Sequence, residues 1–400
     1  MLRGHRNSGS CVLAGVLAFM LPPAVLTQAH GAGAKHNESV LYSFCTQNNC
    51  SDGAGPISGL IADSAGNLYG TANSGGGNCS CGVVFKIAPG GIETVLYTFV
   101  GGNNGIDPVG SLVMDSKGNL YGAADGGENN AGVVFKVGGN GGEKTLYMFS
   151  GGSDGAYPSG ALIADKKGNL YGMTAAGGAY GYGTVFELAP NGTESVLYSF
   201  AGGTDGLAPT GGLISDKAGN FYGATNGGGS GHNGIVFKLA PGGVETVLYA
   251  FGGGSDGGQP AAGVIADKAG NLYGTAEYGG TDDGGVVFKI TPEGTETVLY
   301  TFCSETDCDD GDNPTAGVIM GKNGDLYGTT SLGGGNNPGG DGVVFKVTPE
   351  GKEAVLHAFD YQTGDGVFPD SALLELKNDF YGTTSNGGPG GLGTVFKLKN

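Results

Sequence analysis

The chain has 400 residues, of which 87 are glycine and 39% are hydrophobic, and its formal net charge is −18. A chain this acidic would repel phosphate backbones, which excludes nucleic acid as a partner. The hydrophobic runs between the glycines are regularly spaced and rich in β-branched and aromatic residues, so a folded all-β protein is expected rather than a low-complexity chain.

Residues 1–34 are typical of a secretory signal peptide. Arg3 and Arg6 precede an apolar stretch at residues 11–21, and residues 32–34 offer small side chains for cleavage. That stretch is too short to span a bilayer, and no other segment has 18 continuous apolar residues, so no membrane span is expected. Residues 35–400 are then a single exported domain, extracellular or periplasmic, that carries no arginine and a formal charge of −20.

A tandem repeat predicts the architecture. The phrase Asn-Leu-Tyr-Gly, or a close variant, occurs seven times at intervals of 50 to 54 residues, with its tyrosine at Tyr69, Tyr121, Tyr171, Tyr222, Tyr273, Tyr327 and Tyr381. This period matches one four-stranded blade of a β-propeller. The sequence therefore predicts a seven-bladed β-propeller with four antiparallel strands per blade.

The first repeat shows the expected strands. Two runs, residues 59–63 and 67–71, flank a turn and predict a hairpin. After a glycine-rich loop, residues 82–87 alternate with period two as a third strand, and residues 93–99 follow a Pro-Gly-Gly turn as the fourth.

The two ends of the domain complete each other. A fourth-strand copy at residues 38–44 precedes the first repeat, whereas the last repeat stops after its third strand. We expect residues 38–44 to pair with residues 393–399, which closes the ring and removes free sheet edges.

Charged residues also repeat. Third-strand lysines such as Lys86 precede fourth-strand glutamates such as Glu93 by seven residues in five repeats, so a cross-hairpin ion pair is expected, with Lys397 meeting Glu38 across the closure. The third repeat instead has Glu187 and Glu194, a like-charge pair.

Six cysteines follow the signal peptide, and export favours disulfides. Cys45 and Cys50 match Cys303 and Cys308 in position, so a local bridge is predicted in each pair. Cys79 then bonds Cys81, or these two cross-pair with Cys45 and Cys50 within the first repeat.

The repeated phrases resemble a known family. Residues 63–70, Asp-Ser-Ala-Gly-Asn-Leu-Tyr-Gly, together with Gly-Val-Val-Phe-Lys and Glu-Thr-Val-Leu-Tyr-Thr-Phe, are similar to the exported bacterial GloVer tandem repeat of Gloeobacter and Verrucomicrobia. The last two copies depart at Gly321 and Glu375, where earlier ones have aspartate. The resemblance implies an exported repeat protein of poorly defined function. The Asp-x-x-Gly-Asn hairpin is also similar, more loosely, to that of NHL and gluconolactonase-like propellers.

Two sets of loops are expected on one face of the propeller. Loops from the fourth strand of one blade to the first of the next carry an acid or amide four residues before a proline. Six of these positions are aspartates: Asp52, Asp154, Asp205, Asp256, Asp310 and Asp365. Such a ring predicts either bound calcium or sugar, or simply Asp-Gly turns stiffened by proline.

Loops between the second and third strands vary, and variation on a common scaffold favours a binding role. The candidate ligand-binding residues are Tyr180, Tyr182, His232, Glu277, Tyr278, Asp282 and Asp283. Tyrosines would stack on sugars and carboxylates would bond their hydroxyls, or all of them are solvated loop residues.

We therefore expect a monomeric binding module for an extracellular polysaccharide or, second, a surface protein. The alternative is a carbohydrate-active hydrolase or lyase, or a metal-dependent lactonase-like enzyme, working on the same face. Only His36, His232 and His357 follow the signal peptide, and the inner strands look monotonous, so no catalytic residue is assigned.

Overall fold

A computed structural model describes residues 38–139, 141–335 and 339–399. They form seven four-stranded antiparallel sheets, which confirms the seven-bladed β-propeller. The expected signal peptide at residues 1–34, and His36, lie outside the described residues. Within the described part of the chain, no helix is long and apolar enough to cross a membrane.

Six blades are continuous in sequence. The strands of blades 1 to 3 are β2 (Ile61–Ala62), β3 (Leu68–Ala72), β4 (Val83–Ile87), β5 (Glu93–Thr98); β6 (Ile106–Met114), β7 (Leu120–Asp125), β8 (Val133–Val137), β9 (Glu143–Met148); β10 (Ala156–Ala164), β11 (Leu170–Ala176), β12 (Thr184–Leu188) and β13 (Glu194–Ser199). Those of blades 4 to 6 are β14 (Gly206–Ser215), β15 (Phe221–Gly228), β16 (Ile235–Ala240), β17 (Val244–Ala250); β18 (Ile265–Ala266), β19 (Leu272–Ala276), β20 (Val286–Ile290), β21 (Glu296–Thr301); β22 (Ile319–Met320), β23 (Leu326–Thr330), β24 (Val343–Val347) and β25 (Glu353–Ala358).

Blade 7 joins both ends of the domain. It contains β27 (Leu374–Leu376), β28 (Asp379–Thr384), β30 (Thr394–Leu398) and β1 (Glu38–Ser43), and β1 pairs antiparallel with β30. A two-stranded ribbon, β26 (Gly366–Val367) with β29 (Asn386–Gly387), lies beside it. Four short 3-10 helices follow outer strands, at Asn48–Cys50, Gly102–Asn104, Thr306–Cys308 and Tyr361–Thr363. The predicted ring closure is therefore present.

The polar residues and the glycine of the repeated phrase have structural roles in the hairpin between the first and second strands. In the first repeat, the Asp63 carboxylate accepts hydrogen bonds from the backbone N–H groups of Ala65 and Asn67, from the Asn67 side chain and from the Tyr69 hydroxyl. A Cβ on Gly70 would lie 2.7 Å from the Phe85 ring, so only glycine leaves room for that ring. These bonds hold the pKa of Asp63 below its usual value despite the opposing effect of burial.

The core passes from blade to blade through phenylalanine contacts. The fourth-strand phenylalanine of one blade packs on the third-strand phenylalanine of the next, with ring centroids 4.8 to 5.2 Å apart. All seven interfaces have this contact, including that of Phe44, the residue after β1, with Phe85 of blade 1. The closing strand therefore binds both its own blade and the next one.

The prediction of cross-hairpin ion pairs between lysine and glutamate is wrong. Lys86 lies opposite Thr94, and Glu93 lies opposite Ile87, so the two charges are one register step apart and on opposite faces of the sheet. Likewise Lys397 lies opposite Ser39 rather than Glu38. Glu187 lies opposite Ser195, so the like-charge pair with Glu194 does not form.

The cysteines form local bridges. Cys45 is bonded to Cys50, Cys79 to Cys81 and Cys303 to Cys308. The crossed arrangement within the first repeat is not adopted. The two matching bridges lie in the loops after β1 and β21. Each closes a short loop that precedes a repeated aspartate, Asp52 in one case and Asp310 in the other.

Candidate binding face

Two sets of loops share one end of the propeller, which we call the loop face: those joining fourth to first strands and those joining second to third strands. Because the strands of each blade are antiparallel, the other two sets of turns lie at the opposite end, which we call the hairpin face. All five exposed tyrosines among the described residues lie at the loop face: Tyr180, Tyr182, Tyr278 and Tyr361 are in its loops, and Tyr157 is the second residue of β10, which begins there.

The seven residues that each precede a repeated proline form what we call the rim of the loop face. The residue before each repeated proline has a positive φ, between 46° and 62°, and its N–H donates to a carbonyl of the preceding blade. Six of these seven residues are not glycine: Asp107, Tyr157, Ala208, Gln259, Asn313 and Phe368. Left-handed backbone at non-glycine residues is strained and is found most often at functional sites. The rim thus presents different side chains from a fixed backbone.

The predicted residues of the fifth repeat come together with part of this rim. Tyr278 lies next to Glu277, Asn313 and Asp283, and the Glu277 carboxylate raises the pKa of Tyr278. The Asp283 carboxylate accepts a hydrogen bond of 2.8 Å from the Gly279 N–H. Burial, with the charges of Asp283 and Asp310, raises the pKa of Asp312 in the same area. These groups form an acidic cluster around one exposed tyrosine.

The other predicted residues lie in separate loops. Tyr180 and Tyr182 are 63% and 45% exposed, and the Tyr182 ring lies against Gly202 of the following loop. His232 is exposed in the corresponding loop of blade 4, and Asp282 is exposed beside Asp283. The structure therefore places all seven candidates on the loop face but brings only Glu277, Tyr278 and Asp283 into one cluster.

The six repeated aspartates bind the loops that contain them. Asp205 accepts hydrogen bonds from the Tyr198 hydroxyl, at 2.9 Å, and from the Ala201 N–H, at 2.7 Å. Equivalent tyrosine–aspartate bonds hold Asp52, Asp154, Asp256 and Asp310, while His357 contacts Asp365 at 2.7 Å. Each aspartate is thus tied to the outer strand that precedes it, as a turn-forming role requires.

A glutamate of the next blade approaches each of these aspartates. Burial, with the charge of Asp205, raises the pKa of Glu245 to about 7. The glutamates Glu38, Glu93, Glu194 and Glu296 are shifted likewise to about 7, and Glu353 to about 8. In all six, Oε1 is buried without a hydrogen-bond partner among the described residues. A proton held between the two carboxyl groups would supply the donor that these buried oxygens lack.

The interface between blades 1 and 2, the one without a carboxyl pair, shows what the other six interfaces lack. Asn104 replaces the aspartate there, and its side-chain amide donates to the Glu143 carboxylate. Glu143 has no orphaned buried oxygen, unlike the six glutamates that face aspartate. An amide donor at this position thus does what a proton must do elsewhere.

One interface also has metal-ligand character. Ligand atoms of Glu38, His357 and Asp365 lie within 4.8 Å of one another. His357 takes the place of the tyrosine found in the other repeats, and its ring packs on Phe359 at 4.7 Å. This group includes the first residue of the closing strand β1, which is the outer strand of blade 7.

Sequence analysis missed the one carboxylate in the central channel. A cavity of about 410 Å³ is lined by residues of all seven blades, in the inner strands or just before them, and Asp370 lines it, receiving a hydrogen bond of 3.3 Å from the Thr315 hydroxyl. Burial raises the pKa of Asp370. The signal was present in the sequence, because the residue after each repeated proline is otherwise uncharged: Ile57, Val109, Ser159, Thr210, Ala261 and Thr315.

Comparisons with known proteins match this architecture. The Gloeobacter/Verrucomicrobia repeat model matches residues 30–226, 126–339 and 263–400. No curated protein matches the chain. Among solved structures, the extracellular domain assigned to the one-component system BT4673 of B. thetaiotaomicron is 10% identical with a TM-score of 0.58, over 90% of this chain and 40% of that one. The chain thus spans about 40% of the length of that protein.

A second solved structure, the gluconolactonase XC5397 of Xanthomonas campestris, is 13% identical with a TM-score of 0.46, over 92% of this chain and 93% of that one. The repeat-family match covers the whole propeller, and the chain belongs to the Gloeobacter/Verrucomicrobia repeat family.

Proposed function

We propose that this protein is an extracellular binding module that holds a polysaccharide on the loop face. The observation that supports this most directly is the location of its exposed tyrosines. Four of the five in the described residues belong to loops of that face, and Tyr157 lies at the start of β10 beside them, whereas the repeated tyrosines of the second strands are at least partly buried. Flat aromatic rings in solvent, next to carboxylates, suit the stacking and hydroxyl recognition that sugars require.

The charge of the face narrows the ligand class. Asp107, Asp125, Glu277, Asp283 and Asp312 lie on it, and burial with the charge of Asp107 raises the pKa of Asp125. A concentration of negative charge disfavours anionic polymers, so neutral glycans are the expected ligands. A surface protein is the second partner that we consider.

Removing the loop tyrosines should therefore weaken glycan binding. For a neutral polysaccharide found by array screening, we expect Tyr278→Ala to weaken affinity about tenfold, because a ring face buried against sugar contributes roughly 1.4 kcal/mol. The double variant Tyr180→Ala/Tyr182→Ala should weaken it further. Isothermal titration calorimetry measures the change.

Val244→Ala is the matched control. Val244 is 64% exposed as the first residue of β17, directly after a turn of the hairpin face, so this variant should bind as the parent does. Equal losses in Val244→Ala and Tyr278→Ala, or no neutral glycan bound at all, would contradict the proposal. Repeating the titration with calcium and with a chelator tests calcium at the aspartate ring, and the appearance of new reducing ends would indicate the hydrolase or lyase alternative.

A further inference from the structure

A repeated internal cation lies near the hairpin face of the propeller. Third-strand lysines lie opposite the tyrosine of the second strand, and in five repeats the ammonium nitrogen is 5.4 to 5.9 Å from the centre of that tyrosine ring. This distance is within the range of a cation–π contact. In each of these blades, the protein supplies its own ammonium group to an aromatic site.

The interface of blades 6 and 7 shows the most complete form of this arrangement. The Tyr327 and Phe380 rings lie 4.5 Å apart between centroids. The Lys346 ammonium lies 5.9 Å from the Tyr327 ring centre and 2.6 Å from the Asp325 carboxylate. The site thus consists of two aromatic rings, one carboxylate and one ammonium.

The interface of blades 3 and 4 has the same aromatic pair but no lysine. Tyr171 and Phe221 lie 4.8 Å apart between ring centroids, and Glu187 stands opposite Tyr171 where the other repeats have lysine. None of the ion pairs in the described part of the chain includes Glu187. A carboxylate has therefore replaced the ammonium at a site whose remaining groups suit a cation.

A cavity accompanies this replacement. It has a volume of about 490 Å³. Its lining includes Asp165, Tyr171 and Glu187 of blade 3 and Phe221 of blade 4, together with Asp216 and Lys217 at the turn of blade 4. The equivalent cavity one interface earlier, which contains Lys136 beside Tyr121, has about 350 Å³. The cavity that has Glu187 in place of the third-strand lysine is thus the roomier of the two.

The electrostatics of the cavity favour a positive ligand. Asp165 accepts hydrogen bonds from backbone and side-chain donors that keep its pKa below the usual value, so it is ionised at neutral pH. Burial raises the pKa of Tyr171, and the charges of Glu187 and Asp165 add to this rise. Lys217 is the one cationic side chain lining the cavity, and it is exposed on the turn.

We propose that the cavity between blades 3 and 4 binds an alkylammonium group, with its nitrogen between the Glu187 carboxylate and the Tyr171 ring. The bound ligand thereby supplies the positive charge that a third-strand lysine supplies in the other repeats. A free alkyldiamine and the lysine side chain of a peptide share this chemistry. The site is at the opposite end from the loop face, so it does not depend on the polysaccharide proposal.

The test titrates the full chain with cadaverine and, as an uncharged analogue of the same length, with 1,5-pentanediol. We expect cadaverine to bind one site and pentanediol to show no measurable binding. Glu187→Gln should weaken cadaverine at least tenfold, and Glu187→Lys should abolish binding, because it places the repeat's own ammonium in the cavity. Titration with Nα-acetyl-lysine N-methylamide then distinguishes the sources: tighter binding than cadaverine indicates a peptide lysine, and weaker binding indicates a free diamine.

Controls separate this site from the general acidity of the chain. Glu293→Lys makes the same charge change at an exposed turn of the hairpin face and should bind cadaverine as the parent does. Glu187→Lys should melt at or above the parent temperature without ligand, and Glu187→Gln carries the test if it does not fold. Parent-like cadaverine binding by Glu187→Lys, equal loss in Glu293→Lys, or equal binding of pentanediol would each overturn the proposal.

Discussion

Deleting residues 38–44 should abolish the cooperative thermal unfolding of the propeller and cause it to aggregate. This segment supplies β1, which covers the free edge of β30, and it supplies Phe44, which is fully buried against Phe85 of blade 1. Its loss exposes a strand edge and opens the interface of two blades at once. Circular dichroism melting and size-exclusion chromatography measure the effect.

A smaller change at the same place should have a graded effect. Replacing a fully buried phenylalanine by alanine costs about 3 to 5 kcal/mol, so Phe44→Ala should lower the melting temperature by roughly 5 to 10 °C. Val100→Ala, at a residue 66% exposed after the equivalent strand of blade 1, should change it little.

A permuted chain provides the matched control for the deletion. Residues 38–44 are moved behind Lys399 and joined through the turn sequence Pro89–Gly91, which makes blade 7 continuous like the other six. This chain should regain most of the parent melting temperature, since the contacts of the strand are the same. A deleted chain that melts within a few degrees of the parent would show that β1 is dispensable.

The second large effect is a loss of stability as the pH rises from about 5 to 8. Six glutamates have a pKa near 7 or 8 in the folded protein, against 4.5 as the ordinary value. Between these values the folded state holds more protons than the unfolded state, so the free energy of unfolding falls as pH rises. The stabilisation is fully present below about pH 4.5 and is lost once the folded-state pKa is passed.

The expected loss of stability is moderate for each glutamate–aspartate pair and large for the six pairs together. These glutamates keep part of their surface in water, so we discount each contribution to about 1 kcal/mol, or roughly 10 °C in melting temperature for six pairs. Differential scanning calorimetry at fixed ionic strength measures the melting temperature across the range.

The chain contains its own control for this prediction. In Asp205→Asn, the amide should donate to Glu245 as Asn104 donates to Glu143, while its oxygen keeps the bonds from Tyr198 and Ala201. The triple variant Asp52→Asn/Asp205→Asn/Asp256→Asn should lose about half of the pH-dependent fall, and Asn104→Asp should enlarge it. A melting temperature that stays constant or rises from pH 5 to 8 would contradict proton sharing.

The sequence predicted the fold because each part of the repeat performs a local structural task. The interval between tyrosines gave the number of blades, and the incomplete copies at the two ends gave the closure through β1. Asp63, Asn67 and Tyr69 hydrogen-bond within a single hairpin, so their spacing alone carries the information. The two matching cysteine pairs were predictable for the same reason.

Features that depend on register or on neighbouring blades were not predictable in this way. Counting seven residues from Lys86 to Glu93 missed the single step that separates the two faces of a strand. Five of the carboxyl pairs join residues about 40 positions apart and the sixth joins Glu38 to Asp365, so no local pattern relates them. Asp370 was visible only by aligning the residue after each proline, and the cavity at Glu187 only by knowing what surrounds the missing lysine.

The pairing of β1 with β30 determines when the fold can be completed. Among the described strands, the first to be synthesised finds its partner in the last, about 350 residues later, which is a contact of very high sequence separation. Blades 1 to 6 are able to form in order as the chain lengthens, but the ring stays open until the final strand emerges. During that interval Phe44 has no partner strand to anchor it, and a chain interrupted anywhere before β30 would expose two unpaired ends to proteolysis and self-association. The closure therefore acts as a check on synthesis of the propeller, because only chains that include β30 become a ring.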